Sequence, residues 1–156
     1  MKSKISLFVL ALTCFFLSSC SFMWPVFLIN NLNAPVTLHI QTIETQNNSK
    51  MDLDFIPGVE FEEGLDGKDF YNGIATKLAI KEEGNRLIQV ELPALSTTRL
   101  ATATNGFPDV FEWVELEYNG KKVRLNRDEL QAKLKKEHFY NLLAYSKKFL
   151  FLKGLF

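Results

Sequence analysis

A patterned apolar stretch interrupted at Asn119-Gly120 is the feature that most restricts what this chain can fold into. Phe111, Trp113, Val114, Leu116 and Tyr118 lead into that dipeptide, and Val123 and Leu125 follow it. Asn-Gly is the favoured two-residue hairpin turn, because both central residues of a type I′ turn need positive φ. The segment therefore predicts two antiparallel strands. Val36, Leu38 and Ile40 alternate with Thr37, His39 and Gln41, which is the period of a strand with one buried face. Val26 to Ile29 is a short apolar run closed by the turn cluster Asn30-Asn31-Leu32-Asn33-Ala34-Pro35. Ile74 to Ile80, Arg86 to Leu92 and Thr97 to Thr104 read as further strands, with Glu82-Glu83-Gly84-Asn85 turning between the first two. Gln46 to Lys50 is polar and reads as a loop.

One helix is expected near 127–137. Asn126 stands as its cap with Glu129 three residues on, in the capping-box relation. Leu130 and Leu134 share a face, and Glu129 to Lys133 is a supporting i,i+4 pair. Phe139 to Tyr145 and Phe149 to Phe156 then read as closing strands, or as one strand and a tail. About eight short strands, one helix and frequent turns predict a mainly β chain: an antiparallel β-sandwich, with an immunoglobulin-like arrangement as one option. The 14 phenylalanines supply much of the core such a domain needs. The terminal Phe156 also suggests a small outer-membrane barrel, but lipid-facing strands alternate over about ten residues each, and these do not.

The N-terminus reads as an address. Lys2 and Lys4 precede Ile5–Leu17, an uncharged apolar run, which is the layout of an export signal. Leu17-Ser18-Ser19-Cys20 follows, and these four residues resemble the lipobox of bacterial lipoproteins. The resemblance covers the first twenty or so residues. It implies that residues 1–19 are removed, that the Cys20 sulfur carries a diacylglyceryl group, and that the new amine is acylated. Two or three acyl chains, at about 0.8 kcal/mol per buried methylene, would hold the chain to a bilayer almost permanently. Ser21 stands where an aspartate would resemble the inner-membrane retention signal, which implies the outer membrane as destination, with the domain facing the periplasm, or the cell membrane in an organism without an outer one. Two other readings compete. Leu17-Ser18-Ser19 also suits an ordinary secretory cut, and Ile5 to Trp24 is just long enough to span as a helix, although Pro25 ends it. The expected organisation is a cleaved signal over 1–19, a lipidated tether over 20–25 and one sandwich domain over 26–156. Within the tether, Trp24 suits either the lipid interface or the start of domain packing.

Signals for chemistry are sparse. With 18 Lys and Arg against 18 Asp and Glu, the chain lacks the basic excess of a nucleic-acid binder. His39 and His138 have no ligand at metal-site spacing in the sequence. Ser96-Thr97-Thr98 is a hydroxyl cluster without an evident base, read as strand or turn. No G-x-S-x-G, H-E-x-x-H or phosphate-cradling glycine loop occurs, so neither catalysis nor a cofactor is expected. The acidic stretch containing Glu60, Glu62, Glu63, Asp66 and Asp69, with Gly64 and Gly67, suggests a calcium loop; Glu62, Glu63, Asp66 and Asp69 are the candidate ligands. Its spacing departs from the EF-hand pattern, and a solvated loop is the stronger reading. Glu44 to Asp69 holds eight acids and two lysines, whereas Lys121 to Lys153 holds ten bases and three acids. That asymmetry suits either contact with anionic headgroups or mutual neutralisation in the fold, the second being preferred. The apolar C-terminus, Phe149-Leu150-Phe151-Leu152 and Leu155-Phe156, reads as a core strand. The functional expectation is a membrane-anchored envelope lipoprotein acting as a non-catalytic binding or structural module, its partners the membrane and an envelope protein. The alternative is a periplasmic carrier or sensor of a small apolar ligand, which needs a cavity of several hundred Å³.

Overall fold

The computed structural model describes residues 23–44, 49–58, 75–104, 106–138 and 146–156. Its strands, in chain order, are β1 (Met23–Asn30), β2 (Val36–Thr42), β3 (Ser49–Pro57), β4 (Thr76–Lys77), β5 (Lys81–Glu82), β6 (Leu87–Leu92), β7 (Ser96–Thr104), β8 (Phe111–Tyr118), β9 (Lys121–Asn126), β10 (Lys135–His138) and β11 (Ser146–Phe151). A helix, α1 (Arg127–Lys133), lies between β9 and β10, and a 3₁₀ turn over Leu152–Gly154 follows β11. The strands form two sheets, ordered β10-β11-β1-β7-β3-β4 and β5-β6-β2-β8-β9. One buried cluster joins them, with Val26, Leu28, Leu53 and Leu100 from the first sheet against Leu38, Ile40, Val90, Val114 and Leu116 from the second. The chain is therefore a β-sandwich, as its pattern predicts.

The alternating strands behave as expected. In β2, Val36, Leu38 and Ile40 are buried while Thr37 and His39 are half-buried. The β8–β9 turn carries φ of +48° at Asn119 and +74° at Gly120, as a type I′ turn demands. β1 behaves differently. Every residue from Pro25 to Asn30 is buried, because β1 lies inside its sheet and both of its faces are covered. Such strands read as continuous apolar runs, which is why Val26-Phe27-Leu28-Ile29 does not alternate.

Several expectations need correction. β3 occupies residues expected to lie in or beyond a polar loop; Asp52 and Asp54 disguise it, because their neutralising partner comes from β7. The strand expected over 74–80 is reduced among the described residues to Thr76–Lys77, which pairs only with the outer side of β3. The helix stops at Lys133 rather than near 137, since Lys135–His138 pairs with β11. β1 begins at Met23, so residues 23–25 of the expected tether already belong to a sheet. The sheets are antiparallel as expected, with one parallel neighbour pair, β1 and β11, which sets Phe27 opposite Phe149. The C-terminus is one strand ending at Phe151 plus a 3₁₀ tail. In an immunoglobulin domain the first two strands share a sheet, whereas β1 and β2 here lie in different ones. The strand expected over 139–145 lies outside the described residues.

Register and connectivity give the sandwich two distinct ends. Met23 pairs with Thr104, the last residue of β7, and Phe111 at the start of β8 pairs with Thr42 at the end of β2. One end therefore gathers the start of β1, the chain leaving β2 at Ile43, the segment entering β8, and the β9–α1 junction. The opposite end holds the 31–35 and 93–95 turns, the Asn119-Gly120 turn and the C-terminus. Asn30 organises this second end. Its buried amide donates to Ala34 O, Leu92 O and Pro93 O, and its Oδ1 accepts from Leu32 N at 3.2 Å.

Candidate functional site

The most developed polar constellation lies on β3 and β7, on the face of the first sheet opposite Leu53. The register advances three residues on β3, Met51 to Asp54, for two on β7, which is a bulge. Leu53 sits in it at φ +48° with its side chain in the core, and Asp52 and Asp54 flank it on the other face. Arg99 grips Asp54 with two parallel bonds, Nε to Oδ1 at 3.0 Å and Nη2 to Oδ2 at 2.6 Å. The same Nε lies 3.5 Å from Asp52 Oδ2, which also accepts from Thr102 Oγ1 at 2.6 Å. Both carboxylate side chains are 6% exposed and that of Arg99 is 11% exposed. At the rim, Lys77 Nζ donates to Asp52 O at 2.8 Å and lies 3.6 Å from Asp54. Each carboxylate is thus engaged by cationic or hydroxyl donors. Such a network pins the bulge and the β3–β7 register; it offers no poised nucleophile.

The outer face of the second sheet is a polar grid. Lys81, Gln89, His39, Glu115 and Arg124 stand side by side across five strands. Arg124 Nη2 meets Glu115 at 2.8 Å, and the guanidinium carbon lies 4.1 Å from the centre of the Trp113 ring, a cation–π contact. His39, expected to lack ligand-spaced partners, lies between Glu83 (3.5 Å) and Glu117 (4.0 Å), contributed by other strands and turns. Lys81 and Lys122 neutralise those carboxylates at 3.4 and 3.0 Å. The Glu117 hydrogen bond and charge hold the Lys122 pKa above its ordinary 10.5. Among the described residues no group of three or more His, Cys, Asp or Glu is arranged to hold a metal ion.

The end bearing the start of β1 has a different character. Ile43 is 39% exposed there, and Phe107 packs edge-on against buried Phe111, with ring centres 6.3 Å apart. Arg127 donates to Phe107 O at 3.3 Å, and Arg86 pairs with Glu44. A recess of about 320 Å³ opens between Ile43, Phe111, Glu112, Asn126, Arg127 and Asp128. The capping box closes it on one side: Asn126 Oδ1 accepts from Glu129 N, and Glu129 Oε2 accepts from Asn126 N, both at 2.9 Å.

The residues singled out from sequence fall differently. Cys20 and the calcium candidates Glu62, Glu63, Asp66 and Asp69 lie outside the described residues. Ser96, Thr97 and Thr98 are buried at the start of β7, where Ser96 Oγ donates to Pro93 O and Thr97 Oγ1 to Gly58 O. They are strand and turn residues, as read. The Asp52–Asp54–Arg99 network escaped the sequence reading. Only the alternation of Asp52 and Asp54 around Leu53 hinted at it, and the partner is 45 residues away. Among the described residues no helix is long and apolar enough to cross a membrane. No family model, curated protein or solved structure matches the chain.

Proposed function

We propose that this chain is a lipid-anchored protein of the bacterial cell envelope, its β-sandwich a non-catalytic binding or structural module held beside the bilayer through acylated Cys20. The lipobox-like Leu17-Ser18-Ser19-Cys20 motivates the anchor. The observation that carries the reading is the position of β1: it opens at Met23, leaving only Ser21 and Phe22 between Cys20 and a strand inside the sheet. A signal cut before Cys20 spares every strand of the sandwich, whereas a cut a few residues later would remove part of a strand buried from Pro25 onward. Anchoring raises the local concentration of the module near envelope partners without any new contact. The paired ions on both sheets suit a scaffold or docking surface better than an acid–base site.

Metabolic labelling with radioactive palmitate tests the reading. The wild-type protein is expected to carry label and to partition with membranes, and Cys20→Ala to carry none. Unlabelled wild-type protein in the soluble fraction would refute it. The carrier reading retains one foothold, the recess of about 320 Å³ at Ile43 and Phe111, although charged residues line it as well. Displacement of a fluorescent fatty acid from an unlipidated protein would support a carrier.

A further inference from the structure

We infer that the sandwich stands end-on upon the membrane, with the rim formed by Ile43, Phe107 and Glu112 against the zwitterionic headgroup layer and the Asn30 end turned away. This rests on the anchored reading above and adds to it the surface that meets lipid. The tether length decides the geometry. Three Cα–Cα steps separate Cys20 from Met23, so their Cα atoms lie no more than about 11 Å apart. The strand gives no slack, because β1 pairs with β7 from Met23 onward and with β11 from Val26 onward. Unzipping it to lengthen the tether would expose Val26 and Leu28 of the core. The anchor must therefore hold the end of the sandwich where β1 starts.

Chemistry disfavours the other poses. Lying on the second sheet would press the His39, Glu115 and Arg124 grid into the headgroups, and lying on the first would approach the Lys50 and Lys77 side of the Asp52–Asp54 network. Polar groups lose water at a cost in either pose. The rim instead presents exposed Ile43 and half-buried Phe107, an amphipathic edge suited to the interface. Glu44, Glu112 and Asp128 stand there with Arg86 and Arg127, and Lys50 and Lys148 lie on strands level with the start of β1, so this end carries both signs and matches a zwitterionic surface rather than one of a single charge. β1 spans eight residues, which puts the opposite end roughly 25 Å further from the bilayer at about 3.3 Å per residue.

Site-specific quenching tests this in the full lipidated protein on phosphatidylcholine vesicles containing headgroup-proximal nitroxide lipid. With Cys20 acylated, an introduced cysteine is the single free thiol of the mature chain. Fluorophores are placed by Ile43→Cys on the rim and by Asn33→Cys at the opposite end. Glu112→Cys serves as a second rim position should Ile43→Cys fold poorly. Quenching at the rim is expected to exceed that at position 33 by about threefold or more, because contact quenching does not reach across roughly 25 Å. Equal quenching, or stronger quenching at position 33, overturns the orientation while vesicle flotation still shows the anchor intact. If the parent protein itself takes up the thiol label and fails to float, the anchor falls and the orientation with it.

Discussion

Replacing Arg99 by methionine should be among the most damaging single changes in the first sheet. The guanidinium is 11% exposed and makes two parallel bonds to Asp54, with Asp52 3.5 Å from its Nε. Methionine fills much of the space but leaves two carboxylates, each 6% exposed, without their central cation. Lys77 and Lys50 remain nearby, but both are largely in water and screened, so they compensate little. Removing one partner of a buried ion pair costs about 3–5 kcal/mol. Against a total stability of about 5–15 kcal/mol, that is a large fraction. With an m-value of about 2 kcal/mol/M, the urea midpoint should fall by roughly 2 M. The double variant Arg99→Met with Asp54→Leu should recover much of the loss, because a buried pair exchanged for packed apolar groups is often near neutral. Urea unfolding followed by circular dichroism measures both variants. A loss below about 1 kcal/mol for the single variant, or a double variant no better than the single, would refute the reasoning that desolvated charge governs this network.

Three further outcomes are expected. Asn30→Ala should cost about 2–3 kcal/mol in thermal or urea unfolding, since it strips donors from three carbonyls and an acceptor from Leu32 N; Asn30→Asp should be no better, because it turns a carboxylate toward those same carbonyls. Gly120→Ala should cost about 1–2 kcal/mol at φ +74°, whereas Asn119→Gly should be nearly neutral, and parallel melts compare them. Lys122 has a folded-state pKa raised above 10.5 by Glu117, so its stabilisation is complete below that pH and vanishes as pH climbs through the folded value. The stability difference between wild type and Lys122→Gln should therefore disappear in the alkaline range, and a gap that persists unchanged there would speak against the pairing.

Local features of the fold were legible where a few neighbouring residues determine them. The alternation of Val36, Leu38 and Ile40 marks β2, Asn119-Gly120 marks the hairpin, and Asn126 with Glu129 marks the start of α1. What escaped depends on distant partners. Asp52 and Asp54 look like loop residues until Arg99 is brought beside them, so β3 was hidden. The helix pattern around Leu130 gives no reason to stop at Lys133; pairing of Lys135–His138 with β11 does. The parallel β1–β11 contact joins Val26 to Lys148, a separation at which no local pattern speaks. The same limit applies to the site. His39 looked solitary because Glu83 and Glu117 reach it only once the second sheet has formed.

The intact mass of the protein recovered from membranes of a lipoprotein-processing bacterium tests the anchor most directly. A chain beginning at Cys20, heavier than its polypeptide by a diacylglyceryl group and a further acyl chain, is the expected result, with Cys20→Ala accumulating from Met1. A wild-type mass that retains Met1, or one that begins at Cys20 with a bare thiol, would contradict the account.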